Sequence, residues 1–526
     1  MSTNFNLESL LLPYGYRQIK VRAKANGYTD SEFSKVVTYR SAPRIVFVPP
    51  FLHVYNLRAE VQSIEVLYNG EHVMDVPYTF NAEDIHITID LSDTNYPHEQ
   101  TYAITVKALD WESNEESAYE NGYAFYGVRR KAYSISADGV VAHNDDPAWE
   151  RTGLAVGKVA NANKLTAKPS SFIPAEDDFA MSAHGGEIPV FKDIYIACVK
   201  HATRGEYKKL GEGGFAWTNS NYDVMTCFPD MYLARFLDPI INNDGSIDVY
   251  ENVRVSDQYF SRSVKIDKFR MSTFHSIISN NTHFSRAGAV PCKGTPIASL
   301  RTFAKNMNST NNVVSKVSVS DWHIFVIRAL FLIKYATFDS HQSVGRGGNP
   351  STGYNGGGTN GAFTTLQGRD GFIGTDGSTS VWCLGLCDLW NNLGEFIDGV
   401  AQRLGFKFLF ATDPDKYIDN PTAETDGYEE LEYTFYSALG TNSVHPSFLD
   451  VDNTQDDMRC LIGFGSNRCI SVGSGKGIGY HMHGNGNFSI ATGGYSGSSQ
   501  NLFCSGHVSW GGVGTGYGCR FVETYL

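Results

Sequence analysis

The sequence predicts an α+β protein that is rich in β-structure and divided into several domains. Its 526 residues exceed the usual length of one compact domain, and a hydrophobic content of 42% is enough for several cores. The chain contains 52 Gly, 32 Phe and 29 Tyr, a composition typical of turn-rich, aromatic β-proteins. Helical patterns are confined to two segments in the second half of the chain, whereas alternation of period two recurs near the start.

The first 130 residues show the alternation of apolar and polar side chains that marks half-buried strands. The apolar members of three such segments are Ile19, Val21 and Ala23, then Ile85, Ile87 and Ile89, then Ile104, Val106 and Ala108. These patterns predict a sheet-forming N-terminal part.

An internal repeat divides this part. Residues 16–23 with 30–34 match residues 102–108 with 114–117, but only the second copy is preceded by a long strand-like stretch. The repeat resembles the fibronectin-III and bacterial immunoglobulin-like modules common in phage fibres. We therefore interpret residues 42–130 as an Ig-like β-sandwich and residues 1–41 as a partial set of Ig-like strands. Because an isolated hairpin is marginal in water, residues 1–41 are expected to be an attachment element.

Residues 131–297 are predicted to be an irregular β-rich intermediate region of short strands and polar loops, with a turn at 242–245. Two helices are expected, over Ala298–Met307 and Trp322–Ala336, with Asp321 capping the second through its carboxylate. Gly-rich residues 345–377 and 461–526 are predicted to be loops or irregular strands.

The charge, the apolar segments and the cysteine content argue against several classes of protein. A net charge of -13 argues against nucleic-acid binding, which requires a basic face. The N-terminus lacks a secretory signal pattern, and the apolar run 324–338 is interrupted by Arg328 and Lys334, so it predicts a buried helix and no membrane insertion. Nine irregularly spaced Cys do not suit a disulfide framework and favour synthesis in a bacterial cytoplasm.

An ordered set of segments resembles the C-type-lectin-like domain of formylglycine-generating-enzyme relatives, phage receptor-binding proteins and retroelement-diversified proteins. The set comprises 301–306, 322–342 and 385–399. In that family two helices precede a G-L-x-[ND]-x-W-G-N-x-W-E-[WF] segment, and the chain ends in a Gly/Asn-rich ligand-facing region that closes on a G-x-R strand.

The family motif is matched here at Gly385, Leu386, Asp388, Trp390, Asn392, Glu395 and Phe396. Asn391 replaces the usual Gly, Gly394 replaces the second Trp, and residues 518–520 would form the closing strand. The resemblance implies a C-type-lectin-like head over residues 298–526. Trp382, Leu386, Trp390 and Phe396 are expected to lie in its core.

The resemblance implies a bacteriophage fibre or adhesin, located in the virion and not an enzyme. Its expected partners are a host cell-surface glycan or protein, other virion structural proteins at the N-terminal part, and two further copies in a homotrimer. The alternatives are a purely structural virion component without receptor binding and a surface-polysaccharide depolymerase, which would need two carboxylates across a cleft.

Aromatic and amide residues in the Gly-rich C-terminal region are the predicted ligand-binding residues. Tyr and Trp provide large rigid contact surfaces with a polar tip, Asn adapts its hydrogen bonds, and aromatic faces stack on sugars. The set is Tyr480, His481, His483, Asn485, Asn487, Tyr495, Trp510 and Tyr517. The alternative is that about half of them fill a small core.

No metal, cofactor or catalytic residue is predicted. His481 and His483 could form half a metal site, but no third ligand stands nearby, and a solvated loop explains the cluster of Asp450, Asp452, Asp456 and Asp457 better than Ca²⁺ does. Cys383 and Cys387 precede the motif, whereas the catalytic Cys pair of the enzymes lies near the end of the domain. We expect both to pack as small hydrophobes.

Overall fold

A computed structural model describes much of the chain, and the structural statements that follow concern those residues. They are 17–19, 37–39, 44–48, 51–55, 63–68, 71–79, 86–91, 103–110, 115–116, 121–123, 125–137, 140–143, 148–160, 177–242, 246–258, 260, 263–310, 315–345, 369–372, 380–390, 392–403, 407–421, 427–431, 435–437, 444–446, 479–481, 488–492, 502–509 and 517–525.

The N-terminal part is built of short antiparallel strands. They are β1 (Arg17–Ile19), β2 (Val37–Tyr39), β3 (Arg44–Val48), β4 (Phe51–Tyr55), β5 (Ser63–Tyr68), β6 (Glu71–Pro77), β7 (His86–Asp90), β8 (Ala103–Asp110), β9 (Glu115–Glu116) and β10 (Asn121–Tyr123). One sheet has the order β3-β4-β7 and another the order β10-β8-β5-β6, with β9 on β8. The predicted alternation is confirmed in β7, where Ile89 is buried between the exposed Thr88 and Asp90.

The two larger N-terminal sheets share a core. Leu52 and Val54 of β4 and Ile64 and Val66 of β5 are fully buried in one apolar cluster. This arrangement is compatible with a β-sandwich over the second N-terminal segment.

The middle of the chain contains both long and short strands. They are β11 (Tyr126–Ile135), β12 (Val141–His143), β13 (Glu150–Gly153), β14 (Tyr195–Lys200), β15 (Tyr207–Lys209), β16 (Tyr222–Phe228), β17 (Met231–Ile241), β18 (Ile247–Ser256), β19 (Val264–Ile266), β20 (Phe269–Ser272), β21 (Ile277–Ser279) and β22 (Thr282–Phe284). One sheet runs β12-β11-β18-β17-β19, with β13 on β11. A single 3-10 turn, Ser182–His184, precedes β14.

The prediction of only short strands in this middle region is wrong, since β17 has 11 residues and β18 has 10. The reason is burial on both faces. Six consecutive residues of β18, from 251 to 256, are buried. A strand buried on both faces does not alternate, so its period-two signal disappears.

Two long helices occur where they were predicted. α1 (Ile297–Thr310) buries Ile297, Leu300, Ala304 and Met307 along one face. α2 (His323–Tyr335) is buried from its first residue to Lys334, as expected for a core helix. A short α3 (Ser340–Ser343) follows.

The second helix begins as predicted and does not resemble a membrane segment. The Asp321 carboxylate accepts a hydrogen bond from the backbone N–H of His323 at 3.3 Å, which is a first-turn capping contact. Within the described ranges, no helix combines the length and the apolar character that crossing a bilayer requires.

The C-terminal half adds further strands, most of them short. They are β23 (Ser315–Val319), β24 (Gly371–Phe372), β25 (Val381–Cys383), β26 (Leu386–Cys387), β27 (Gly394–Arg403), β28 (Lys407–Phe410), β29 (Glu429–Leu431), β30 (Phe435–Ser437), β31 (Val444–Pro446), β32 (Gly479–His481), β33 (Phe488–Thr492), β34 (Cys504–Ser509), β35 (Tyr517–Gly518) and β36 (Phe521–Tyr525). The prediction of a β-rich protein is confirmed.

The middle and C-terminal regions share a six-stranded sheet of order β15-β14-β16-β20-β36-β23. The C-terminal strand β36 lies between β20 and β23, with Val522 opposite both Met271 and Ser318. The predicted boundary between 131–297 and 298–526 is therefore crossed by one continuous sheet. Likewise, the predicted boundary at residue 130 falls inside β11.

Candidate functional site

The sheet that carries part of the predicted ligand-binding region has seven strands. Its order is β29-β28-β27-β33-β34-β32, and β35 pairs in parallel with β27. The strand β32 contains Tyr480 and His481 and lies at the edge, parallel to β34, with Tyr480 opposite Ser505. The backbone of β32 is thus held three strands away from β27.

The three segments that carry the lectin-like resemblance lie against one another. Arg301 in α1 makes a bidentate ion pair with Asp398 in β27, with both N–O distances at 2.7 Å. Phe331 in α2 contacts Trp390 edge to face, with ring centroids 6.0 Å apart. Both helices therefore contact residues 385–399.

The predicted core residues are buried. Trp382, Leu386 and Trp390 are 0% exposed and Phe396 is 2% exposed. The indole Nε1 of Trp390 also donates a hydrogen bond to the carbonyl oxygen of Gly345 at 3.0 Å. The prediction for these four side chains is confirmed.

Asp388 of the motif organises a turn instead of facing solvent. Its carboxylate accepts hydrogen bonds from the backbone N–H of Val381 at 2.9 Å, the Ser380 hydroxyl at 3.1 Å and the Asn392 amide at 3.4 Å. Burial raises the pKa of Asp388 above its ordinary value. The Asp and Asn of the motif therefore have a structural role in shaping this turn.

Gly385 of the motif is required for close packing. Its φ of +75° lies in the left-handed region, and an added Cβ would lie 2.9 Å from the methyl group of Thr226. The Thr226 hydroxyl donates to the Gly385 carbonyl at 2.6 Å. The motif turn thus packs directly on β16 of the six-stranded sheet.

Arg520 joins the motif to the C-terminal end of the chain. Its Nε donates to the Glu395 carboxylate at 2.7 Å, and both side chains are fully buried. The guanidinium also donates to four backbone carbonyls, those of Ser272, Thr273, Cys387 and Asp388. Burial opposes the charge on Glu395, but Arg520 outweighs it and the pKa of Glu395 lies below its ordinary value.

A second buried ion network holds the last strand to the middle region. Arg204 contacts Asp223 at 2.5 Å and Glu523 in β36 at 2.8 Å, and all three side chains are fully buried. Burial disfavours the Glu523 carboxylate, but the Arg204 charge and hydrogen bond lower its pKa overall. Buried ion pairs at Arg520 and at Glu523 therefore hold the C-terminal segment in place.

The described residues include only some of the predicted ligand-binding residues. Tyr480 and His481 lie in β32, where the backbone is described. His483, Asn485, Asn487, Tyr495 and Trp510 lie outside the described residues, as do the four aspartates considered for Ca²⁺.

The prediction that Tyr517 is a ligand-binding residue is wrong. Tyr517 is only 9% exposed and packs against Phe396, with ring centroids 5.9 Å apart. It lies in β35, which pairs with β27, and this places the ring inside a small core. Tyr517 therefore does not belong to an exposed binding surface.

Among the described thiols, Cys292 and Cys519 share a hydrogen bond that lowers the pKa of Cys292. Cys383 and Cys387 are both 0% exposed, as predicted, and burial raises the pKa of both thiols well above the ordinary value. Within the part of the chain that the structure describes, no group of three His, Cys, Asp or Glu side chains is arranged to hold a metal ion.

A surface groove of about 410 Å³ was not predicted. Its walls include the ammonium-bearing side chains Lys192 and Lys209, with the Lys209 Nζ 4.4 Å from the centre of the Tyr195 ring. The remaining lining residues are Met181, Ser182, Ala183, Asp193, Ile194, Ile196 and Leu210. Residues of common types from separate segments form this groove, so no local pattern in the sequence indicates it.

Comparison of the sequence with protein-family models and with curated proteins found no match in either case.

Proposed function

We propose that this protein is a bacteriophage fibre or adhesin that recognises the host surface through a C-type-lectin-like region in residues 298–526. The observation that carries the proposal is the position of β32, which bears Tyr480 and His481. It lies at the edge of a sheet whose strand β27 is anchored by Glu395–Arg520 and by Asp398–Arg301. Residues of a recognition region are thereby attached to a firmly held scaffold.

Pre-organisation supports recognition because it lowers the entropy lost on binding. The C-terminal region combines Tyr, Trp and Asn with many Gly, a composition typical of binding loops. Aromatic faces in such a region can stack on sugar rings while Asn side chains bond to hydroxyl groups. A host glycan or glycosylated surface protein is the ligand class that this composition favours.

The N-terminal strands support the assignment to a larger assembly. Among the described residues, β1 and β2 pair with each other and with no third strand. Two open edges of this kind can accept a strand of another virion protein. A homotrimer with a virion-bound N-terminal part would present several heads together and multiply a weak single-site affinity.

The test compares binding of the full-length chain and of a Tyr480→Ala/Trp510→Ala double variant to a panel of bacterial strains and to a glycan array. Tyr207→Ala is the matched control, because Tyr207 is 42% exposed and lies in β15 of the other sheet. We expect the double variant to lose attachment and the control to retain it. Light scattering on all three proteins should report the same trimeric mass.

Three results would contradict the proposal. Unimpaired attachment by the double variant would show that these C-terminal residues do not take part in recognition. Absence of binding by the wild type to every strain and glycan would favour a purely structural virion component. Release of sugar fragments from capsular polysaccharide would favour a depolymerase.

A further inference from the structure

Lys334, near the end of α2, is buried between two aspartates. Its Nζ lies 2.9 Å from Oδ2 of Asp177 and 2.9 Å from Oδ2 of Asp370. The three side chains are 2%, 4% and 6% exposed. An amine and two carboxyl groups are thus enclosed together, away from bulk water.

The two carboxyl groups are held differently. Asp370 accepts hydrogen bonds from the backbone N–H of Leu384 at 2.8 Å and from the Tyr335 hydroxyl at 2.5 Å. Asp177 accepts one from the backbone N–H of Phe179 at 2.9 Å through Oδ1, and its Oδ2 accepts one from the Lys334 Nζ at 2.9 Å. Asp370 is therefore held by a backbone and a hydroxyl donor, and Asp177 presents its Oδ2 directly to the amine.

The amine is also fixed in place. Lys334 Nζ donates to the carbonyl oxygen of Phe179 at 3.0 Å. The backbone at the end of α2 is clamped by Arg151, which donates to the carbonyl oxygens of Ile333 at 2.9 Å and Lys334 at 2.5 Å. Groups held together in this way react as if at very high concentration.

Burial disfavours the Lys334 ammonium, but the charges of Asp370 and Asp177 outweigh it and keep its pKa above the ordinary value, so the amine can react only if an adjacent group takes a proton from it. One ammonium faces two carboxylates in a buried site, and desolvating each charge costs several kcal/mol. An amide formed from one ammonium and one carboxylate is neutral, so its formation leaves a single carboxylate in place of three charged groups.

We propose that Lys334 and Asp177 form an intramolecular isopeptide bond and that Asp370 transfers the protons. Asp370 takes a proton from the ammonium, and the neutral amine attacks Cγ of Asp177. The Nζ–Cγ bond forms, the Cγ–Oδ2 bond breaks, and Oδ2 leaves as water with the two protons that the ammonium has lost. The step needs no oxidant, reductant or added reactant.

The product would covalently join α2 to the segment preceding β14. This link would stabilise the folded protein, because a covalent cross-link constrains the unfolded chain in the same way that a disulfide does. The inference does not depend on the proposed function.

Intact-mass measurement on the denatured full-length protein tests the proposal. The wild type should weigh about 18 Da less than its sequence, the mass of one water. The Asp370→Asn variant keeps both reacting residues but loses the proton acceptor, and it should show the full sequence mass. In Asp177→Asn the leaving group is ammonia, so any reaction there lowers the mass by about 17 Da instead.

Trypsin digestion locates the bond. Cleavage after Lys334 should be absent, and a branched peptide should join the segments that contain Asp177 and Lys334. Lys131 is the internal control, because its 2.6 Å ion pair with Asp248 is partly exposed and should leave normal cleavage after Lys131. A wild type at the full sequence mass, or normal cleavage after Lys334, would overturn the proposal. A mass loss in Asp370→Asn equal to that of the wild type would overturn the role of Asp370.

Discussion

Glu395 and Arg520 are 125 positions apart in the sequence, yet their side chains meet at 2.7 Å inside the protein. Glu395 lies in β27 of the seven-stranded sheet, and Arg520 directly precedes β36 of the six-stranded sheet. This fully buried ion pair therefore joins the seven-stranded sheet to the six-stranded sheet.

The Glu395→Gln substitution should destabilise the protein strongly. Gln keeps the shape of the side chain but leaves the Arg520 charge buried without an opposite charge, which costs about 3 kcal/mol. We expect the midpoint of urea denaturation to fall accordingly. Arg129→Ala is the control, since its 3.3 Å pair with Glu150 is partly exposed and should cost at most about 1 kcal/mol. Equal effects of the two substitutions would contradict the role of Glu395.

Trp390→Ala should prevent the C-terminal half from folding stably. The side chain is fully buried, and removing a buried aromatic ring of this size costs roughly 3–5 kcal/mol. Trp390→Phe separates packing from hydrogen bonding, because it keeps a ring but loses the donor to Gly345. The Phe variant should lose only about 1–2 kcal/mol by calorimetry or urea denaturation. An unchanged melting temperature in the Ala variant would show that Trp390 does not support the core.

Stability should decline as the pH falls from about 6.5 to about 4 because of His283. Burial lowers the pKa of His283 from 6.5 to about 4. Above pH 6.5 the imidazole is neutral in both the folded and the unfolded state, so its protonation does not reduce the free energy of unfolding. Below it the unfolded state binds a proton that the folded state excludes, so stability falls by on the order of 3 kcal/mol down to pH 4.

His283→Gln tests this pH dependence. The Gln amide can donate to the Leu300 carbonyl, to which the His283 Nε2 lies at 2.8 Å, but it does not titrate. Urea denaturation across pH 7 to pH 4 should therefore show a flatter profile for this variant. If the His283→Gln profile is as steep as that of the wild type, other groups cause the decline.

Deletion of residues 1–41 should abolish incorporation into particles and leave the rest of the chain folded. The strand pair β1 and β2 shares no sheet with another described strand, so its loss removes no sheet pairing from the C-terminal half. Particle incorporation can be measured by immunoblotting purified virions, and folding by circular dichroism. Normal incorporation of the shortened chain would refute the attachment role.

Sequence patterns alone predict the β-rich character, the two long helices and the aromatic core. Local periodicity reports these features, because one face of α1 and alternate residues of β7 contact the core. Trp382 and Trp390 could be assigned to the core because side chains of this size and apolarity are rarely left in water.

The pairing of the buried charges and the position of the last strand follow from the three-dimensional fold and from no local pattern. No local pattern predicts the ion-pair partners of Arg520, Arg204 and Lys334, and each is buried against carboxylates from distant segments. The placement of β36 between β20 and β23 likewise depends on long-range pairing. The pairing of β35 with β27 buries Tyr517, which composition had assigned to a surface. A local pattern reflects how a segment packs on its core. Partners that are distant in the chain are selected only when the sheets assemble.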